Sequence, residues 1–219
     1  MSLLPPDRPF FIAEAGVNHD GRLDLALKLV DAAADAGADA VKFQTFRADA
    51  LATAAAPQAR YQTRAGKSSQ RDMLARLEFK REHHGPVVER CRRRGIRFMS
   101  TPFDEDSADF LESCGMTVFK IPSGEATNLP FLRHIGRKRK PVFLSTGMCT
   151  LAEVRDAVDA LRRGGARDIA LLHCVSCYPT DARECNLRAM DTMAREFRLP
   201  TGFSDHTLGT DVSIAAAAR

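Results

Sequence analysis

The chain is predicted to be an α/β protein of the TIM-type (β/α)8-barrel class, incomplete at about seven strands. Seven short apolar runs recur along its 219 residues. Buried parallel strands read as such runs because helices cover both faces of the sheet. Most runs lead through a short loop into a helix-like stretch, the repeat of a parallel sheet wound by right-handed crossovers. The runs also end in polar, chemically useful residues, and a barrel of this class places its active site at the C-terminal ends of its strands.

The first run is Phe10-Phe11-Ile12-Ala13-Glu14. A helix is predicted over 23–36, with Leu25, Leu29, Val30 and Ala33 at helical spacing and Gly37 as its stop. The second run, Ala40-Val41-Lys42-Phe43-Gln44, leads into a long Ala-, Gln- and Arg-rich connection from 46 to about 80, with a helix over 70–77. An insert after a strand lies on the active face, so a lid or substrate loop is expected there, a plain surface excursion being the alternative. The next helix, 82–94, stops at Gly95, and His83 and His84 at its start are expected to face solvent.

The third run, Ile96-Arg97-Phe98-Met99-Ser100-Thr101, precedes a helix over 107–114 with Asp106-Ser107 as its N-cap and Gly115 as its stop. The fourth, Thr117-Val118-Phe119-Lys120-Ile121, is followed by a short helix over 128–135, whose first turn tolerates Pro130. The fifth, Pro141-Val142-Phe143-Leu144-Ser145-Thr146, precedes a helix over 151–163 capped by Thr150 and stopped by Gly164-Gly165. The sixth, Asp168-Ile169-Ala170-Leu171-Leu172-His173, precedes a helix over 187–197, and the seventh is Gly202-Phe203-Ser204-Asp205-His206. A seventh helix begins at Asp211, and no eighth strand is counted.

A hydrophobic content of 44% is ample for one core, so 1–219 is expected to be a single barrel domain. A complete barrel usually needs about 250 residues, so the chain is expected to be C-terminally truncated, with two unprotected sheet edges. Its net charge of +4 is modest. The clusters Arg90-Cys91-Arg92-Arg93-Arg94 and Arg137-Lys138-Arg139-Lys140 fall at helix C-termini, where cations are favourable. No aromatic-basic interleaving accompanies them, so nucleic acid is not an expected partner.

The start, Met1-Ser2-Leu3-Leu4-Pro5-Pro6, lacks a signal-peptide core, and no apolar stretch is long enough to span a membrane. A cytoplasmic protein with no membrane partner is expected, its six cysteines reduced. Cys174 and Cys177 form a C-x-x-C that ends a strand and lacks the second pair a structural zinc needs. It also does not open a helix as redox pairs do.

The strand ends supply Lys42 and Lys120, with hydroxyls at Thr101, Ser123, Ser145 and Ser204. With Asn186 from the loop after the sixth run, they resemble a cradle for a small dianion carrying phosphate and carboxylate. Lysine acts as a point charge and hydroxyls and amides as directional donors. Any one serine taken singly reads first as a cap or turn former, but lysine is rarely buried without an anion. Glu14, Glu125, Asp205, His173 and His206 share the same rim. A carboxylate among lysines can hold a water or move a proton. His206 stands where a divalent-metal ligand would, although one histidine does not make a metal site.

Ile12-Ala13-Glu14-Ala15-Gly16-Val17-Asn18-His19-Asp20-Gly21 resembles the opening motif of the sialic acid synthases, that is, N-acetylneuraminate synthase and its legionaminic and pseudaminic acid synthase relatives. The similarity continues in one consistent order. It runs through Val41-Lys42-Phe43-Gln44-Thr45-Phe46, Ser100-Thr101-Pro102-Phe103-Asp104, Lys120-Ile121-Pro122-Ser123-Gly124-Glu125 and Leu144-Ser145-Thr146-Gly147-Met148. It ends with His173-Cys174-Val175-Ser176-Cys177-Tyr178-Pro179-Thr180, Asn186-Leu187 and Gly202-Phe203-Ser204-Asp205-His206-Thr207.

The resemblance implies condensation of phosphoenolpyruvate with an N-acylated amino-sugar aldehyde, giving a nine-carbon 2-keto acid and phosphate. It implies that Lys42, Thr101, Lys120, Ser123, Ser145, Asn186 and Ser204 hold phosphoenolpyruvate. Glu14 and Gln44 would lie near the reacting carbons, Glu125 near the sugar, and His206 would bind Mn²⁺ or Mg²⁺. Glu14 could stabilise a developing cation or orient the attacking water. The family's second metal histidine, in a Glu-Lys-His-Phe-like motif, is absent from this sequence. So is its C-terminal antifreeze-like domain, which reaches a partner's site with an arginine. A homodimer is therefore expected of the full-length protein, and 1–219 alone is expected to be inactive. Two other readings stand: a Schiff-base aldolase using Lys120 or Lys42, and a non-catalytic barrel scaffold in surface-polysaccharide biosynthesis. The hydroxyl-rich cradle argues against the first and the retained polar strand ends against the second.

Overall fold

The computed structural model describes residues 4, 5, 7–56 and 69–219, so 57–68 of the expected lid lie outside the described residues. The chain divides into two compact units, Met1–Thr117 and Val118–Arg219.

In the first unit the elements run β1 (Ile12–Gly16), α1 (Leu23–Asp35), β2 (Ala40–Thr45), α2 (Ala48–Leu51), α3 (Gln70–Leu77), α4 (Arg81–Arg94), β3 (Arg97–Pro102) and α5 (Glu105–Ser113). The strands form a parallel sheet in the order β1-β2-β3. Central β2 is buried along nearly its whole length, as its continuous apolar run requires. Val30 of α1 and Val87 of α4 join Val41, Phe43 and Met99 in the core. Helix α4 ends where Gly95 takes a left-handed φ of 69°, its N–H returning to the carbonyls of Cys91 and Arg92.

Two expectations are corrected here. The N-cap of α5 is Asp104, not Asp106-Ser107. Its carboxylate accepts from the Ser107 N–H (2.6 Å) and the Ser107 hydroxyl (2.8 Å), leaving Glu105 and Asp106 in the first turn, where the helix dipole favours acids. His84 does not face solvent: it is 1% exposed, because the helix turns that ring onto β2 and against Phe79 and Phe110.

The second unit runs β4 (Phe119–Ile121), α6 (Leu129–Arg137), β5 (Val142–Ser145), α7 (Leu151–Gly164), β6 (Ile169–His173), α8 (Arg188–Phe197), β7 (Thr201–Phe203) and α9 (Asp211–Ala217). Its sheet is parallel in the order β4-β5-β6-β7. Ile121, Leu144 and Leu171 from the strands and Leu132, Ile135 and Leu161 from α6 and α7 are buried. Thr150 caps α7 with a full capping box: its side chain accepts from the Glu153 N–H while Glu153 accepts from the Thr150 N–H. Strand β7 is shorter than its run, so Ser204, Asp205 and His206 occupy the loop beyond it. The α/β class and the seven parallel strands expected of an incomplete TIM-type barrel are both observed among the described residues.

Candidate active site

Side chains alternate along a strand, and paired residues of parallel strands share a face. In the first unit Glu14 stands opposite Lys42, Lys42 opposite Met99, and Gln44 opposite Thr101. Glu14, Lys42, Gln44 and Thr101 therefore occupy one face. The Lys42 ammonium is ion-paired with the Glu14 carboxylate; the lysine side chain is 10% exposed and the glutamate 54%. The cation is thus fixed in the wall while its counter-ion remains open to solvent.

The register slips between Glu14 and Gly16, a bulge that leaves Ala15 without a rung, and Gly16 has a left-handed φ of 51°. A Cβ at Gly16 would lie 3.1 Å from Glu14 Oε1 and 3.9 Å from Gln44 Nε2, so the glycine leaves space where both side chains meet. Thr101 is buried, and its hydroxyl has no hydrogen-bond partner among the described residues.

The opposite face of β2 and β3 carries Thr45 and Ser100, whose hydroxyls lie 2.7 Å apart. His84 Nε2 is 3.1 Å from Thr45 Oγ1. Nearby, fully buried His19 accepts at Nδ1 from the Gly21 N–H (2.9 Å) and packs 4.4 Å from the Phe79 ring. Burial pushes its pKa down from 6.5 to about 4.

In the second unit Lys120 stands opposite Phe143, and Ser145 lies two residues further on, so Lys120 and Ser145 share a face. Both are buried; Lys120 Nζ donates to the Ile121 carbonyl (3.2 Å), and the Ser145 hydroxyl has no partner among the described residues. Ser123 sits in a 3-10 turn just past β4, where its Oγ accepts from the Gly147 N–H (2.9 Å) and lies 3.1 Å from Cys174 Sγ. A Cβ at Gly147 would meet Ser176 Oγ at 2.6 Å, Cys174 Sγ at 2.8 Å and Ser123 Oγ at 3.0 Å. A side chain there would displace them, so the glycine lets three small polar side chains close around it. The sequence reading did not single out Ser176; its place just past β6 is the signal that could have found it.

The remaining residues are dispersed around that cluster. Glu125 is held by the Asn128 amide (2.7 Å). Ser204 extends the β6–β7 ladder through its N–H to the His173 carbonyl (2.8 Å). Asn186, with a left-handed φ of 39°, lines a cavity of about 400 Å³ with His173, Cys174, Arg188 and Thr192. That cavity borders the Gly147 cluster through Cys174, while His173 belongs to the sheet face opposite Lys120 and Ser145. The His173 Nε2–H donates to the Cys185 carbonyl (2.8 Å). Asp205 is a loop anchor: it accepts from the Ser213 hydroxyl (2.5 Å) and the Thr207 N–H (2.8 Å). Burial raises its pKa, but these bonds outweigh it and hold the carboxyl below its ordinary value.

The His206 ring packs 4.3 Å from the Tyr178 ring, and its Nδ1 lies 2.7 Å from the Val175 carbonyl. A carbonyl only accepts, so Nδ1 carries a proton, which leaves Nε2 as the nitrogen that could bind a metal. This is the arrangement of a metal-binding imidazole oriented by a backbone acceptor. His206 therefore fits as one ligand. Among the described residues no group of three or more His, Cys, Asp or Glu could hold a metal.

Residues 29–219 match the model of the NeuB family. The N,N'-diacetyllegionaminic acid synthase of Legionella pneumophila is 51% identical over 206 residues, covering 91% of this chain and 58% of that protein. The N,N'-diacetyllegionaminic acid synthase of Campylobacter jejuni is 46% identical over 215 residues, covering 96% and 64%. The chain thus spans about 60% of the length of these relatives. The crystal structure of an N-acetylneuraminic acid synthetase from Leptospira borgpetersenii, in complex with citrate, superposes with a TM-score of 0.84. It is 33% identical, with 94% of this chain and 68% of that one covered.

Proposed function

Because the chain belongs to the NeuB family, we propose that it forms the catalytic part of a synthase joining phosphoenolpyruvate to an N-acylated amino-sugar aldehyde. The products are a nine-carbon 2-keto sugar acid and phosphate. One observation carries the anion-binding half of this reading. In each unit a buried lysine shares a sheet face with a buried hydroxyl that has no partner among the described residues: Lys42 with Thr101, and Lys120 with Ser145. An unsatisfied buried hydroxyl costs about 1–3 kcal/mol, a cost that a bound phosphate or carboxylate oxygen removes. The Ser123 and Ser176 hydroxyls around Gly147 add directional donors, with Asn186 and Ser204 on the neighbouring loops.

In this reaction the enol carbon of phosphoenolpyruvate forms a bond to the aldehyde carbon, and positive charge develops at C2. Water adds there, and the tetrahedral adduct expels phosphate by C–O cleavage. The open Glu14 carboxylate, beside Gln44, is placed to face that cation or to take a proton from the water. Glu125, half-buried beyond β4, is read as a contact to the sugar. His206 would hold a divalent Mn²⁺ or Mg²⁺ through Nε2, supplying Lewis-acid polarisation of the aldehyde oxygen. The names of the two relatives favour a diacetamido sugar as acceptor, and the full-length protein is read as a homodimer. The engagement of Lys42 by Glu14 and the Ser145 hydroxyl on the sheet face of Lys120 speak against a Schiff-base aldolase.

The test uses the full-length protein with phosphoenolpyruvate labelled at the bridging oxygen, an N-acetylated or diacetamido hexosamine, and Mn²⁺. The label is expected in the released phosphate, with turnover lost on chelation and no borohydride-trapped adduct. Label retained in the keto acid, or a trapped lysine, would overturn the reading.

A further inference from the structure

The sheet face turned away from Lys42 and Gln44 carries a closed chain of hydrogen bonds that the reaction does not use. His84 Nδ1 lies 3.1 Å from the Lys80 carbonyl, and its Nε2 lies 3.1 Å from Thr45 Oγ1. Thr45 Oγ1 in turn lies 2.7 Å from Ser100 Oγ. The carbonyl can only accept, so Nδ1 carries the proton. Burial holds the ring below the ordinary histidine pKa, against the opposing effect of the Lys80 and Arg81 backbone, and keeps it neutral. Nε2 must then accept from the Thr45 hydroxyl, and Thr45 Oγ1 must accept from Ser100. Each proton in the chain has one direction, which is how a fully satisfied buried network rigidifies its surroundings.

What it rigidifies is specific. Gln44 and Thr101 stand opposite each other in the β2–β3 ladder. Thr45 follows one and Ser100 precedes the other, so their diagonal bond spans that rung from behind. His84 ties the rung to α4 from a pocket walled by the rings of Phe79 (5.1 Å) and Phe110 (4.9 Å). We infer that His84 is a positioning residue which, through Thr45 and Ser100, holds the Gln44–Thr101 rung in the geometry its ligand requires. The kinetic part of this inference rests on the synthase reading; the proton arrangement does not.

The proton arrangement is tested first, without activity, in ¹⁵N-labelled full-length protein. His84 is expected to be neutral at pH 7 with the proton on Nδ1, and Thr45→Val to shift its Nε2 resonance. An Nε2-protonated ring, or one insensitive to Thr45→Val, would overturn the inference even if the protein proved not to be a synthase. Kinetics follow. His84→Leu should lower kcat/KM for phosphoenolpyruvate by about tenfold to a hundredfold, since small misplacement of a positioning group costs that much. The sugar KM should stay within about twofold, below the coupling expected of a shared contact.

His84→Gln, whose amide oxygen can still accept from Thr45, should recover most of the loss. Thr45→Val should match His84→Leu, and the double variant should be no worse than either alone. Ser100→Ala, the mildest deletion, serves if His84→Leu does not fold. Unchanged kinetics in a folded His84→Leu or Ser100→Ala variant, or additive losses on both substrates, would sink it. Absence of turnover in the unmodified protein would count against the synthase reading alone.

Discussion

The two buried lysines stand in different surroundings. Lys42 pairs with the Glu14 carboxylate, itself open to solvent; Lys120 donates to the Ile121 carbonyl and shares its face with the Ser145 hydroxyl, which has no partner among the described residues. Lys120→Met in the full-length protein should therefore impair phosphoenolpyruvate use far more than sugar use. Leaving a desolvated anion unpaired costs on the order of 2–5 kcal/mol. Varying each substrate separately in steady-state kinetics checks this, and an impaired sugar response alone would reassign the lysine. His19 makes a stability prediction. Burial holds its folded pKa at about 4 against 6.5, so between those values the unfolded chain binds more protons. Stability must then fall as pH drops from about 6.5 to about 4, by about 3 kcal/mol in full. His84, depressed by burial in the same sense, adds to the loss. Denaturant melts across that range should show a shallower slope for His19→Phe; an unchanged slope would mean that the folded ring charges freely.

Among the elements, α6 and α7 pack closely because glycines meet at their crossing. A Cβ on Gly136 would come within 2.9 Å of Gly164 Cα, and one on Gly164 within 2.9 Å of Gly136 Cα. Gly164 is thus more than part of a helix stop: it is the last residue of α7 and a contact surface, while Gly165, with φ of 117°, makes the left-handed cap. Alanine favours a helix over glycine by about 1 kcal/mol, but overpacking against backbone that cannot rotate away costs about 1–3 kcal/mol or more. The second effect wins, so Gly136→Ala and Gly164→Ala should each destabilise in urea melts. Thr150→Ala, which removes the capping box, should cost only about 1 kcal/mol. An alanine at 136 that stabilises the chain would show that the two helices can separate at little cost.

At the scale of the whole molecule, all six cysteines lie among the described residues and none is joined in a disulfide. Their reactivity should report the fold. Cys177 is exposed, Cys114 and Cys149 are half-buried, and Cys91, Cys174 and Cys185 are buried. Burial pushes the Cys91 thiol up to about 12. A thiol reagent on the native chain should modify Cys177 fastest and leave Cys91 untouched, with all six reacting in denaturant. Fast native labelling of Cys91 would contradict the packing of α4 on its sheet. No helix among the described residues is long and apolar enough to cross a membrane.

The order of strands and helices was legible because apolar runs, glycine stops and caps such as Thr150 act within a few residues of chain. The polar residues at the ends of those runs, Lys42 and Lys120 among them, were legible for the same reason. Pairings between distant segments were not legible. The sequence marks His84 as a polar residue at a helix start, and only the packing of Thr45, Phe79 and Phe110 around it makes it buried and bonded. Asp205 reads as a rim acid until Ser213 and Thr207 are seen to occupy its oxygens. Ser176 looks like one loop serine among several until the missing side chain of Gly147 lets it approach Ser123 and Cys174. Local periodicity determines which residues form strands and helices, whereas burial and hydrogen-bond partners are set by segments dozens of residues away, and that is what the tertiary structure alone decided.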